Sequence, residues 1–400
     1  MASFLARRSS DHLDLLDAGV SAQEIIAQLR ARSTRVKVLT LGHNGLGDAG
    51  IMQLCEFLAS KEGLVLGVES LSLNTNAIGD AGLGALGHLL SRRPGSMHTL
   101  FLQNNVFTDD EATLRHFAHC LNASRLVNIF LSSNALLDTG VSAFLSTLAA
   151  PRLRELHLSA VGLSSAGLPA LLGYLASRRS ASLRTLKLNG NKLGNEGVRA
   201  LGVVIERCNW WLEELEVYAN DDPDSDDNNV PPPIPAPVQI QPGAMILRPK
   251  ENASAPFRAV LARNRLLRIE TRRGALALLK VARIVLLHPR LATSNALVLR
   301  SAALVVVEPG TSPTLPEHSR TAPFAWLSLP YELRLHVLRF VVADTVLSAE
   351  QHARICAYAE SPPLHNGLGG GADGGVEEWL DAVGCAWFDP GDGVEGVARG

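Results

Sequence analysis

Apolar and polar positions along this chain follow two periods in turn, and the switch between them recurs. Val36, Leu39, Leu41 and Leu46 form the first apolar set, with Asn44 before the last member. The same frame returns as Val68-Leu71-Leu73-Asn76-Ile78 and again as Met97-Leu100-Leu102-Asn105-Phe107. It continues in Leu126-Ile129-Leu131-Asn134-Leu136 and Leu183-Leu186-Leu188-Asn191-Leu193. Between those two, Leu153-Leu156-Leu158-Val161-Leu163 carries Val where Asn belongs, and Leu212-Leu215-Val217-Asn220 is a partial last copy. The Asn position advances by 32, 29, 29, 27, 30 and 29 residues, so the chain is built from about seven copies of one unit.

Within each copy the L-x-L part alternates, as a short strand with one buried face does. After Asn the spacing becomes helical: Ile51, Leu54, Phe57 and Leu58 in one copy, Val198, Leu201, Val204 and Ile205 in another. Gly50, Gly82, Gly140, Gly167 and Gly197 precede these stretches, where a small residue permits a tight entry. The third unit, "FTDDEATLRHFAHCL", lacks this Gly, and its apolar set (Leu114, Phe117, Ala118, Leu121) runs one residue out of phase. A distorted turn is expected there.

One strand and one helix per unit cannot bury their own apolar face, but stacked copies can, which predicts a curved α/β solenoid. Over roughly residues 35–220 the pattern resembles the ribonuclease-inhibitor-like class of leucine-rich repeats. That resemblance implies a parallel sheet on the concave side, helices on the convex side, and an Asn ladder along the turns. An amide side chain both donates and accepts, so it can bridge turn backbones, whereas Val161 cannot. A buried backbone group left unpaired there would cost roughly 1–3 kcal/mol.

The rest of the chain divides by composition. Residues 1–34 are expected to form a helical cap, with a capping box from Ser21 to Glu24 opening "SAQEIIAQL". The solenoid occupies 35–221. Asp-rich and then Pro-rich sequence over 222–256 reads as a linker. A basic helical segment covers 257–310, carrying Arg258, Arg263, Arg265, Arg268, Arg272, Arg273, Lys280 and Arg283 against Glu270 alone between residues 258 and 283. Such a helix suits a solvated face or the chain's own Asp221–Asp227 stretch; without RNA-binding motifs, nucleic acid is disfavoured. Residues 361–400 hold a Gly-rich loop and a short terminal helix with Trp379, Leu380, Val383 and Trp387. The glycines carry neither a P-loop Lys-Ser/Thr nor a preceding strand.

"WLSLPYELRLHVLRFV" opens a helix after a Leu-Pro turn, within a segment taken as 324–360. It resembles the start of an F-box at Leu329, Pro330, Glu332, Leu333, Val337, Leu338, Phe340 and Val341. That resemblance implies docking on the linker subunit of a cullin-type ubiquitin ligase, with the repeats holding a substrate. Two departures stand against it: here the segment follows the repeats, and the Trp often found downstream is missing.

Alternation also predicts what the concave face shows. Its central column is Thr40, Ser72, Phe101, Phe130, His157, Lys187 and Glu216, flanked by Asn74, Gln103, Glu155, Asn189, Glu214 and Tyr218. Phe101 and Phe130 should lie side by side, because neighbouring strands are about 4.8 Å apart. Paired exposed aromatics rimmed by polar groups suit a protein partner, although mutual stacking or cover by the C-terminal segment would also account for them.

Composition adds limits. Hydrophobic residues make up 46% and charged residues 19%, with a formal net charge of −2, so no global field recruits nucleic acid or membrane. Five scattered cysteines without CxxC, and no secretion signal, predict reduced thiols in a cytoplasmic or nuclear protein. The most apolar stretch, 275–288, is short and broken by Lys280 and Arg283, so no membrane span is expected. His116, His119 and Cys120 form the best metal-like cluster but lack a fourth ligand, and no catalytic triad is placed, so no cofactor, metal or enzyme activity is predicted. Expected, then, is a protein-interaction protein, one form of which is an F-box-like adaptor. The alternative is a Ran-type GTPase-activating protein, which shares the repeat class and works through the GTPase's own machinery.

Overall fold

The structure, a computed structural model, describes residues 11–32, 34–92, 97–220, 257–287, 333, 337–338, 346–360 and 374–390. The chain divides into two compact units between Leu267 and Arg268.

The first unit is the expected solenoid. Its strands are β1 (His12–Asp14), β2 (Val38–Thr40), β3 (Ser70–Ser72), β4 (Thr99–Phe101), β5 (Asn128–Phe130), β6 (Glu155–His157), β7 (Thr185–Lys187) and β8 (Glu214–Glu216). They form one parallel sheet in sequence order, each pair in the same register. Between them lie α1 (Ala22–Arg30), α2 (Gly47–Ala59), α3 (Lys61–Leu66), α4 (Asp80–Arg92), α5 (Glu111–Ala123), α6 (Leu137–Thr147), α7 (Leu168–Ala176) and α8 (Gly194–Arg207). The strand leucines project inward and meet the apolar helix faces in one continuous core. Leu39, Leu71, Leu100, Ile129, Leu156 and Leu186 are 0% exposed, whereas the end-coil residues Leu13 and Leu215 keep 5% and 3%. Interior coils are thus sealed by both neighbours, as stacking requires.

The sheet has eight strands, one more than the seven copies of the template. The extra strand lies inside residues 1–34, where a purely helical cap was expected. Leu13 and Leu15 repeat the L-x-L of the later coils, while Ala18 stands where Asn belongs and Val20 where Leu belongs. This degenerate coil is tied to the next one by Asn44, which accepts from Val20 N (3.2 Å) and donates to Leu15 O (2.8 Å). The Ser21–Glu24 capping box is present: Ser21 N donates to Glu24 Oε2 (2.7 Å), and Glu24 N donates to Ser21 Oγ (3.3 Å). The bond from the Ser21 backbone holds the Glu24 carboxyl below its ordinary value.

The Asn ladder runs along the turns. Asn105 Oδ1 accepts from Asn76 N (3.0 Å) and Ile78 N (3.1 Å), and its amide donates to Leu73 O (3.1 Å) and Leu102 O (2.9 Å). Asn76 and Asn191 repeat the arrangement on their own preceding coils. In almost every coil the residue before the ladder position takes a left-handed conformation, among them His43, Thr75, Asn104, Ser133 and Ala160. Side chains tolerate that conformation at a cost, which the ladder bonds offset. Val161, 0% exposed, has no oxygen to offer the amides of Asn134 and Leu136. Val161→Asn restores that acceptor and is expected to raise the stability of the full chain by about 1 kcal/mol. A higher urea midpoint with an unchanged slope is the readout.

A second ladder explains the repeated Gly-Asp-Ala-Gly phrase. Asp48 Oδ1 accepts from Gly79 N (2.7 Å) and Gly82 N (3.0 Å) of the next coil, capping its helix entry. Asp138 does the same for Ser164 N (2.7 Å) and Gly167 N (3.1 Å), and Asp80 serves Thr108 N (3.0 Å). A Cβ on Gly82 or Gly167 would lie 2.6 Å from the carboxylate oxygen of Asp48 or Asp138. The small residue makes room for the preceding coil's Asp. In the third unit α5 starts at Glu111, six residues after Asn105, whereas α2 starts three after Asn44. The longer turn ends on Asp110, whose side chain accepts from Thr113 N at 2.8 Å.

The far end of the solenoid is closed by residues beyond the Pro-rich segment. Helix α9 (Arg258–Leu287) contributes its first residues to the first unit. Phe257 (3% exposed) and Leu261 (8%) join the solenoid core. The Arg263 guanidinium lies 4.0 Å over the Trp210 ring and donates to Glu206 O (2.8 Å) and Ile205 O (3.2 Å) at the end of α8. Asn264, fully buried, donates to Asn209 O (3.1 Å) and Leu212 O (2.9 Å). Two of the basic residues expected to face solvent or the Asp run, Arg263 and Arg265, therefore serve this closure; Arg265 pairs with Glu213 at 3.8 Å. The boundary between the two units falls within α9, and residues 222–256, read as a linker, lie outside the described residues.

The second unit, described by itself, packs the rest of α9 with α10 (Ala349–Glu360) and α11 (Gly374–Ala382). Its core holds Ala275, Leu278, Ala282, Leu338, Ile355, Cys356, Trp379, Leu380 and Val383. Arg272 pairs with Glu377. Gln351 Nε2 donates to Gly384 O (2.7 Å) and Trp387 O (3.0 Å), tying α10 to the turn after α11.

Candidate protein-interaction site

Three-residue strands in common register set the concave surface. In each, the middle residue points into the core and the two outer ones face away from it. The register aligns Thr40, Ser72, Phe101, Phe130, His157, Lys187 and Glu216 in one row, preceded by Asp14 of the unanticipated first strand. The sequence-predicted column is therefore a continuous row across the sheet.

Its chemistry changes along the arc. The first strands present small polar groups, with His12 bonded to Thr40 Oγ1 at 2.9 Å. The middle is aromatic. Phe101 and Phe130 stack with ring centroids 4.3 Å apart and planes 14° apart. His157 meets Phe130 at 4.2 Å and 73°, extending the aromatic row to a third coil. All three are half-buried. The last strands are charged. Lys187 Nζ lies 2.8 Å from Glu216 Oε1, while Asn189 Nδ2 donates to Glu216 Oε2 at 2.7 Å. Tyr218, beyond the end of β8, is 41% exposed.

These contacts set the protonation states. Burial holds His157 below its ordinary value, outweighing the bond it donates to Glu155 Oε1 at 2.7 Å. The ring is neutral at pH 7. Hydrogen bonding to Glu216 raises Lys187 above the usual ammonium value. Burial pushes Glu216 up, but the bonds from Lys187 and Asn189 outweigh it and leave the carboxyl below its ordinary value. Lys187 and Glu216 are therefore a charged pair, and His157 is a hydrogen-bond donor to a carboxylate.

Other sequence candidates fall elsewhere. Leu333, Val337 and Leu338 are helical, Leu333 50% exposed and Leu338 0%. Leu329, Pro330, Glu332 and Phe340 lie outside the described residues. His116 and His119 are exposed on α5; Cys120 is buried with its sulfur 3.6 Å from His116 Nε2, and burial raises its thiol pKa. Among the described residues no group of three or more His, Cys, Asp or Glu is placed to hold a metal ion, and no helix is long and apolar enough to cross a membrane. All five cysteines are free thiols.

Comparison with known proteins agrees with the architecture. A leucine-rich-repeat family model matches residues 32–55, 68–87 and 179–202, each spanning a turn of the kind described above. No curated protein sequence matches the chain. Among solved structures, the chain is similar to the leucine-rich repeat-containing protein LegL7 from Legionella pneumophila, with 19% identity, 52% of this chain covered and a TM-score of 0.37. It spans 65% of the length of that protein. A second similar structure is the yeast complex of Rad7 and Elc1, with 13% identity, 49% of this chain and 67% of the other covered, and a TM-score of 0.22. Matched repeats, parallel sheet and Asn ladder together make this a protein built on a leucine-rich-repeat solenoid.

Proposed function

We propose that this chain is a binding protein rather than an enzyme, and that it holds a protein partner on the concave face of its repeats. The stacked pair Phe101 and Phe130, continued by His157, carries the reading. Large aromatic groups on a solvent-facing sheet, with polar neighbours on both sides, are the composition of an interface centre. Lys187, Glu216 and Tyr218 supply the polar rim. Replacing Phe101 and Phe130 together by Ala should abolish capture of the partner while leaving the unfolding free energy within about 1 kcal/mol of the parent, since both rings are outside the core. Affinity purification with mass spectrometry, parent against double variant, is the measurement. Identical partner lists would remove the concave face from consideration.

We further propose that the helix bearing Leu333 serves as an F-box-like contact for a ubiquitin-ligase linker subunit. Its support is the 50% exposure of Leu333, which leaves an apolar side chain for a partner. Leu338 cannot serve that contact, because it is fully buried in the core of its own unit. Leu333→Asp should therefore cost co-purification with the linker subunit at least tenfold without unfolding the chain, whereas a charge at Leu338 would disrupt the fold itself. Unchanged co-purification, or none from the parent, rejects this contact.

A further inference from the structure

The concave face has a sign as well as a shape. Of its outward side chains, Asp14, Glu155, Glu214 and Glu216 are acidic and Lys187 is basic. Lys187, on the strand between β6 and β8, bonds Glu216 at 2.8 Å and also feels the charges of Glu214 and Glu155, so one lysine faces three carboxylates. Among the described residues neither Glu155 nor Glu214 has an Arg or Lys within 4.0 Å, so the single Lys187 leaves an excess of negative charge: Glu155 accepts from His157 at 2.7 Å, and Glu214 from Thr185 Oγ1 at 3.4 Å. Both belong to the row that also holds Thr185, which lies between them in the register. Two strand spacings separate them, roughly 10 Å. A single extended cation can reach both.

Phe130 has no free ring face to offer that cation. One face of Phe130 is covered by Phe101 at 4.3 Å, and His157 packs against the ring at 4.2 Å. The ring edges favour an aliphatic group or the face of another aromatic. The chain's own acidic run, Asp221, Asp222, Asp224, Asp226 and Asp227, has the wrong sign to occupy this surface.

Resting on the concave-face reading, we propose that the partner presents a basic and apolar segment, with an Arg or Lys between Glu155 and Glu214 and an aliphatic or aromatic side chain on the edges of Phe101 and Phe130. Glu155 lies one strand over from Phe130 and two residues back, and Glu214 three strands over. The basic residue therefore falls roughly 8–16 Å from the apolar one, two to five residues away in an extended segment. The carboxylates select the sign of the partner and speed its arrival, and the rings supply the buried contact.

The test uses a bead-displayed library of random acetylated hexapeptides, incubated with the full-length chain at low salt. Expected is enrichment of Arg or Lys two to five positions from Phe, Leu, Ile or Trp. Retention of the enriched sequences should fall on the order of tenfold for Glu155→Gln with Glu214→Gln, and also fall with added salt. Both replacements are isosteric, and the amide oxygen introduced at position 155 still accepts from His157. Enrichment without basic residues, or retention indifferent to the two Glu changes but lost with Phe101→Ala and Phe130→Ala, overturns this proposal and leaves the concave reading standing. Retention indifferent to the Phe changes, or no retained sequence at all, overturns both.

Discussion

Asn105→Ala is expected to destabilise the solenoid by about 4 kcal/mol. The side chain receives two backbone amides, Asn76 N and Ile78 N, and satisfies the carbonyls of Leu73 and Leu102. Alanine would leave both amides buried without an acceptor at roughly 1–3 kcal/mol each, and would add a small void. Asn105 is 7% exposed, so water does not readily replace the lost partner. Asn44→Ala is the internal comparison. Asn44 is half-buried beside the degenerate first coil, and its substitution should cost about half as much. Urea unfolding of both variants checks the ratio as well as the size. Equal losses would mean that the ladder's strength does not depend on burial.

Phe257→Ala is the second large effect, expected at about 3 kcal/mol, in the range for a truncated core aromatic. The ring is 3% exposed and belongs to the solenoid core; a Cβ on Gly202 of α8 would sit 3.2 Å from it. Its removal opens the last coil, beyond which the sheet has no further strand among the described residues. Arg263 and Asn264 would keep part of the closure through their bonds to Glu206, Ile205, Asn209 and Leu212. Hydrogen exchange should therefore accelerate first around residues 201–217, with the early coils unchanged. Uniform acceleration over the whole arc would show that the solenoid melts as one block.

Asn105 and Phe257 also mark where the sequence is legible and where it is not. Asn105 is legible because a ladder position repeats at a fixed interval, and a period survives any variation in the exposed residues. The concave row is legible for the same reason: alternation in three-residue strands fixes which side chains face out. The Asp48–Gly82 relation is only half visible in the repeated phrase. The glycine stands out at its own turn, but the carboxylate it makes room for lies one coil away. The strand at His12–Asp14 is hidden because Ala18 erases the Asn signal, leaving only Leu13 and Leu15 as markers. Phe257, Arg263 and Asn264 follow a long Asp- and Pro-rich interruption and reach back by contacts with no period at all. Such contacts follow from shape and hydrogen-bond demand at the end of the stack, neither of which a template contains.

Asn220 and Phe257 both pack into the last coil, so the chain leaves the solenoid and returns to the same end of it. Residues 221–256 are spanned between two fixed anchorage points. The lid that keeps the interior dry thus belongs to sequence beyond residue 256, and a cut between residues 220 and 257 would turn an internal closure into the docking of a second fragment.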